Sequence, residues 1–497
     1  MNISQAKEYI RDSIRLYLKK DKIGQYRIPT ENQRPIFLLG APGIGKTAIM
    51  QQIAQEMGIA LVSYSMTHHT RQSALGLPFI VEKEYQGQKF TVSEYTMSEI
   101  IASIYETMEK SGIDRGILFL DEINCVSETL SPSMLQFLQY KTFGQHRVPE
   151  GWIVVTAGNP PQYNRSVREF DVVTLDRLKI LEVEEDYEAW KTYAMQKGIH
   201  PAIQSFLETN KEYFYHIETT AKGRLYVTAR GWEDLSGILY LYEEEGLIVD
   251  ETLIGQYVRV EKILREFAAY YDLYRKYKKD YEPEKILKSQ FDDEIYDKLN
   301  AASFDERLAF VGMLSAALMA HMTEVMEEID FLDSLQDLLL SLSDEEKENL
   351  KVSLQNRQKD AKEQCEKQEA AGVLSVRTRR KAAKIADFLS KMIRETDDFS
   401  KVKEAFDLCV YTMEGRAARV TKQFENTLRF MDKAFSQGSE MLVFVTDLTV
   451  NNDAASFIAE FAMDAYAGYT DKLMLSARKE ELMTRVRYIT SPKELHL

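Results

Sequence analysis

Cysteine is scarce in this chain. Three occur among 497 residues, Cys125, Cys365 and Cys409, with no metal-ligand spacing and no even-numbered framework. That excludes a disulfide scaffold and a thiolate metal centre, and a reducing, cytoplasmic setting is expected. Long apolar runs are missing too. The stretch from Leu308 to Thr323 is uncharged but falls short of the ~20 residues that span a bilayer, and it contains Gly312, Ser315 and His321. A buried helix is expected there, and no membrane span. Positive charge is in deficit: 63 Lys and Arg stand against 78 Asp and Glu, a formal net charge of −15. Such a balance argues against non-specific adhesion to nucleic acid or anionic membranes, so no nucleic acid is expected as partner. The opening Met1-Asn2-Ile3-Ser4 has no signal-peptide pattern. No internal repeat and no long Pro/Gly/Ser linker interrupts the chain, so its C-terminal helices are expected to pack rather than hang free.

What is present reads as globular. Apolar residues make up 44 % and charged residues 28 %, and the length suits roughly two to four domains or subdomains. Residues 1–33 read as a short helix and a connector. From 34 to 183, apolar runs alternate with helical stretches: Ile36–Leu39, Leu61–Tyr64, Ile117–Leu120, Ile153–Ala157 and Leu178–Val183. Near-continuous apolar strands separated by helices predict an α/β fold, a parallel sheet with helices on both faces. A β-hairpin is expected as an insert near 78–92. Residues 184–275 turn helical, as a lid-sized subdomain, and 276–497 read as an all-α C-terminal domain. Met441–Val445 is one strand candidate within it.

The loop Gly40-Ala41-Pro42-Gly43-Ile44-Gly45-Lys46-Thr47 carries the G-x-x-x-x-G-K-[ST] spacing of a phosphate cradle. It follows the strand candidate Ile36–Leu39 and opens a helical pattern at Ile49, Ile53 and Met57, closed by Gly58, the context the motif requires, and Gly40 to Ala48 are the expected nucleotide-binding residues. Glycines let backbone N–H groups turn towards phosphate oxygens, and the helix N-terminus adds positive potential. Lys46 would reach the β- and γ-phosphates and the Thr47 hydroxyl would bind Mg²⁺. The loop reads phosphates and leaves ATP and GTP both open. Gly116–Leu120 is an apolar strand ending in Asp121 and Glu122, 75 and 76 residues after Lys46. Asp121 would hold the Mg²⁺ shell and Glu122 would polarise the attacking water. Ile153–Gly158 ends likewise in Asn159, placed to hydrogen-bond that water or the γ-phosphate.

Together these segments resemble an AAA+ ATPase, a P-loop NTPase. Gly40 to Thr47 matches its Walker A motif, Leu118-Phe119-Leu120-Asp121-Glu122 its Walker B, and Asn159 its sensor 1. Asp171 to Arg177 resembles the segment that presents an arginine finger to the next subunit. Arg177 fits the wording, with Arg165 and Arg168 close by as alternatives and Leu178 standing where the branch usually has Phe. Thr228-Ala229-Arg230-Gly231-Trp232 resembles sensor 2, which assigns Arg230 to the γ-phosphate. The words Asp121-Glu122-Ile123-Asn124, Gly158-Asn159-Pro160 and Asp176-Arg177, with the hairpin insert, resemble the MoxR branch. The resemblance covers 34 to about 240. It implies Mg²⁺-dependent ATP hydrolysis in a ring, usually a hexamer, that remodels or activates a protein client. It also implies a separate von Willebrand factor A partner, since this chain has no D-x-S-x-S motif. A nucleotide-gated scaffold and a nucleic-acid motor are the competing readings.

Three further features invite function. His68-His69 lacks an accompanying carboxylate or Cys cluster, so a metal site there is disfavoured. The stripe Phe267, Tyr270, Tyr271, Tyr274, Tyr277, Tyr281 beside Arg275, Lys276, Lys278 and Lys279 fits an amphipathic helix with snorkelling lysines better than a stacking platform for single strands. The cluster Arg377, Arg379, Arg380, Lys381, Lys384 fits a solvated face or an intramolecular charge partner.

Overall fold

The structure, a computed structural model, describes residues 1–467 apart from 69–70, 164–166, 169, 221–222, 344–345, 347, 436–437, 463 and 465. The chain forms two compact units, each assembled from separated stretches. Unit 1 comprises Met1–Ala189, Thr228–Arg230 and Lys351–Glu395. Unit 2 comprises Trp190–Val227, Gly231–Leu350 and Thr396 onward.

Unit 1 is built on five parallel strands, β1 (Ile36–Gly40), β2 (Ala60–Ser65), β5 (Gly116–Asp121), β8 (Trp152–Gly158) and β9 (Lys179–Val183), in the order β2-β5-β8-β1-β9. All five expected strands are present. Every residue of β8, and all of β5 except Asp121, is buried. This is why they read as unbroken apolar runs: helices cover both faces and leave no polar side. On one face Phe37, Leu118, Leu120 and Val154 pack with Ile100, Ile104 and Phe137 from the helices Glu99–Ser111 and Ser131–Tyr140. The helix Lys46–Met57, amphipathic through Ile49, Met50 and Ile53 and stopped by the left-handed Gly58, packs against β2 and β5.

The inserted hairpin pairs β3 (Pro78–Tyr85) with β4 (Gln88–Tyr95) in full register. Gln86 and Gly87 both have positive φ, 53° and 79°, the signature of a tight two-residue turn that follows the strand twist. Phe79, Ile80 and Phe90 on it are exposed. A short ribbon, β6 (Thr142–Phe143) with β7 (His146–Arg147), follows the helix Ser131–Tyr140.

Residues 351–395 were grouped by sequence with the C-terminal helices, yet they cluster with the α/β unit. The helices Leu350–Ala370 and Val376–Glu395 are joined by a loop that lies along β2, one of the sheet's two edge strands. There the Leu61 N–H donates to the Ala371 carbonyl at 2.9 Å, and Ala371 is fully buried in the sheet's core cluster. In the basic cluster on the second of these helices, Arg379 has an intramolecular charge partner, Glu369, at 2.7 Å, one of the two expected arrangements.

Unit 2 is mainly helical. A two-stranded ribbon, β10 (His216–Thr220) with β11 (Gly223–Val227), sits within the stretch 184–275, expected to be a helical lid subdomain, and is a correction to it. Its core joins Phe310, Leu314 and Leu318 of the helix Phe304–Leu340 to Phe424 and Leu428 of Phe399–Phe435 and to Phe444 and Leu448 of Ser439–Val450. The helix Phe304–Leu340, 37 residues long with an apolar window of mean hydropathy 1.5, passes a length-and-composition test for a membrane span. Its apolar side chains fill this core instead, as the reading of Leu308–Thr323 anticipated. Met441–Val445 is a correction: it is helical. Met441, Phe444, Val445 and Leu448 are buried along one helical face, a 3.6-residue pattern that a five-residue apolar run cannot reveal. In the helix Glu261–Tyr281, Phe267, Tyr271, Tyr274 and Tyr281 are buried while Arg275, Lys276, Lys278 and Lys279 stay exposed, the amphipathic arrangement expected.

Candidate active site

The polar residues that end β1, β5 and β8 meet at one edge of the sheet, the C-terminal edge at which open α/β sheets present ligands. Lys46 opens the helix after β1 and is 7 % exposed. Its ammonium donates to three oxygens: the Gly40 carbonyl at 2.8 Å, the Ala41 carbonyl at 2.7 Å and Asn159 Oδ1 at 2.9 Å. Burial lowers its pKa to about 8, opposed by the negative charge of Asp121 and assisted by the positive charge of Arg230. Gly43 and Gly45 have φ of 76° and 96°, values that side-chain-bearing residues rarely adopt, and a Cβ on Gly45 would meet nothing within 4 Å. The loop is therefore open where its backbone faces out.

Thr47 Oγ1 donates to Asp121 Oδ2 at 2.9 Å, while Asp121 Oδ1 accepts from the Glu122 N–H at 2.9 Å. Thus five of the sequence-predicted residues, Lys46, Thr47, Asp121, Glu122 and Asn159, converge. Glu122 lies in left-handed backbone, φ 55°, which turns it away from the strand line. Its Oε2 accepts from Ser65 Oγ at 3.2 Å and from Thr67 Oγ1 at 3.0 Å, and these two hydroxyls lie 3.0 Å apart. Neither was singled out from sequence; Ser65 ends β2 and Thr67 lies in the short turn Met66–His68 that follows it.

Asn124 was quoted in sequence only as part of a motif word. It is 4 % exposed, and its Nδ2 donates to the Asn159 carbonyl at 2.8 Å. With Asn159 Oδ1 engaged by Lys46, the amide Nδ2 of Asn159 is the group left to donate outward. A Cβ on Gly158 would fall 2.5 Å from Asn124 Oδ1, so glycine is required where these two strand ends meet.

Arg230 lies in the Thr228–Arg230 stretch of unit 1. Its N–H donates to the Gly43 carbonyl at 3.3 Å, and Thr228 sits close against Gly43, 3.0 Å from where a Cβ would be. Arg230 is therefore at the loop, with its side chain exposed. Arg177 is not part of this cluster. It is exposed, just past the helix Val172–Leu175, which Asp171 caps through a 2.8 Å bond from the Thr174 N–H. No salt bridge to it is found among the described residues. Of the alternatives, Arg168 is paired with Glu128 and Arg165 lies outside the described residues. His69 lies outside them too, and no metal-holding cluster of His, Cys, Asp or Glu occurs among the described residues.

The donor set suits magnesium bound beside a nucleotide. The adjacent hydroxyl of Thr47 and carboxylate of Asp121 are hard oxygen ligands, and Mg²⁺ typically takes one or two protein oxygens and completes its shell with phosphates and water. The ammonium of Lys46 already sits on an all-oxygen cradle that phosphate oxygens can replace. No curated protein is matched by this chain. Residues 36–172, from the start of β1 to the segment before Arg177, match the model of the ATPase family associated with various cellular activities (AAA). Unit 1 therefore carries a nucleotide-binding P-loop domain of the AAA+ ATPase class.

Proposed function

We propose that the protein hydrolyses ATP at this edge and couples the reaction to remodelling or activating a protein client. The convergence of Lys46, Thr47, Asp121, Glu122 and Asn159 carries the reading. Thr47 and Asp121 would hold Mg²⁺, which when bound neutralises charge on the β- and γ-phosphates. Lys46 orients those phosphates, and Arg230 adds a second positive charge from the other side of the loop. Glu122 accepts a proton from the attacking water as its oxygen bonds to the γ-phosphorus and the bond to the β-phosphate oxygen breaks. Asn159 Nδ2 holds that water or a γ-oxygen in line. Phosphoryl transfer needs this positioning and charge neutralisation more than covalent chemistry.

Arg177 supplies the trans cation in a ring, taken as a hexamer. Beside it Val172 and Val173 are 80 % and 59 % exposed, an apolar pair that a neighbouring protomer would cover. The MoxR branch is favoured by the words around Asp121, Asn159 and Arg177 and by the β3–β4 hairpin inserted after β2. With it come a cytoplasmic setting, a separate von Willebrand factor A partner and a client met by the exposed hairpin. A second reading, a nucleotide-gated scaffold with slow turnover, draws on one observation: two hydroxyls donate to Glu122 Oε2, which lowers the basicity of the carboxylate that would take the water proton. The test is Mg²⁺-dependent ATPase of the purified chain against Glu122→Gln. Turnover abolished in the variant with binding retained supports hydrolysis. Tight ATP binding without turnover in either form supports the scaffold.

A further inference from the structure

We propose that a small cavity in unit 2, among the helices Pro201–Thr209, Phe304–Leu340 and Ser439–Val450, binds a primary ammonium group on a short alkyl stem. Two buried polar atoms of this cavity have no partner. Asp447 is 7 % exposed and its Oδ1 accepts no hydrogen bond; Ser315 is 1 % exposed and its Oγ is likewise unpaired. Both line the same space of about 50 Å³. Native interiors rarely leave such atoms unsatisfied, so two facing one cavity point to a donor that completes them.

Charge decides the class of ligand. The ionisable groups facing Asp447 are Lys191, on the helix Tyr187–Lys197, and Glu208, on Pro201–Thr209. Lys191 Nζ is engaged by Glu208 at 2.7 Å, so its attraction for the Asp447 carboxylate is set against the repulsion from Glu208. Two carboxylates and one lysine exclude an anion and favour a cation. The ammonium head offers only donors, to Asp447 Oδ1 and Ser315 Oγ, both of which can accept. Leu308, Met319 and Val443 line the remaining wall and accept methylenes. The volume holds a few heavy atoms and excludes aromatic or polyamine ligands.

Burial raises the Asp447 carboxyl to about 7, so a cation entering below that pH displaces a proton. The experiment is calorimetry of the full chain with ethylammonium chloride at pH 6 and pH 8.5. Buffers of different ionisation enthalpy are used, with potassium and tetramethylammonium chlorides at equal ionic strength as controls. Saturable ethylammonium binding is expected, with proton release at pH 6 and little at pH 8.5. It should weaken at least tenfold in Asp447→Asn and measurably in Ser315→Ala. The proposal is overturned by no saturable binding, by equal binding of either control cation, or by no proton release. Should Asp447→Asn fail to fold, Ser315→Ala and the proton count decide. ATP turnover is not the readout, so failure here leaves the hydrolysis reading untouched.

Discussion

Lys46 combines burial with three oxygen partners, and its lowered pKa has a readable consequence. The folded pKa of about 8 lies below the ordinary 10.5, so burying the charge weakens the free protein below pH 8 and that penalty fades as pH rises towards 10.5. A bound polyphosphate favours the charged form and holds the proton. ATP affinity should therefore be level up to about pH 7.5 and fall above pH 8, approaching tenfold per pH unit, with proton uptake on binding. Titrating a fluorescent ATP analogue from pH 7 to 9 checks this, and a flat profile contradicts it. The loop itself was legible from sequence because one local word encodes turn, charge and helix start. The hydroxyls of Ser65 and Thr67 on Glu122 were not, since they come from the end of β2 and the turn after it, more than fifty residues away, and carry no local pattern.

Among elements, the junction of the β5 and β8 ends governs the site. Asn124 binds the backbone of Asn159, and Gly158 leaves the room for it. Gly158→Ala places a methyl against the Asn124 amide and should cost about 1–3 kcal/mol of stability. It should also reduce turnover by moving Asn159, and combining it with Asn124→Ala should fall short of additive because the two share one contact. Urea unfolding and ATPase assays of the three variants test this. The five parallel strands were readable because burial on both faces leaves continuous apolar runs, and the hairpin because Gln86-Gly87 punctuates two strand patterns. Met441–Val445 shows the limit. A short apolar run has the same composition in a buried strand and on a helix face, and only the packing of Phe444 and Leu448 decides.

For the whole molecule, the proposed ring divides each reaction between protomers, with Glu122 from one and Arg177 from the next. Arg177→Ala and Glu122→Gln should each be nearly inactive alone, since an arginine finger is worth about 10³–10⁵ in rate. Mixed in equal amounts, they should regain activity, because about one interface in four then pairs an intact glutamate with an intact arginine. Recovery near a quarter of the unmutated rate would support the assignment, and none would place the arginine's action within its own chain. Sequence gave the class of unit 1 through ordered motifs. It could not give the placement of residues 351–395, which depends on contacts across some three hundred positions of chain.

That placement bears on how the protein is made. The edge strand β2 emerges from the ribosome early, yet the segment that covers its flank, around Ala371 and Gly372, is translated much later. During that interval the nascent chain carries an uncovered pairing edge of the kind that invites association with other strands. The ATPase region is thus not a self-sufficient module to be cut out at the end of its motifs: a fragment stopping near residue 275 would keep permanently the vulnerability that the growing polypeptide has only in passing.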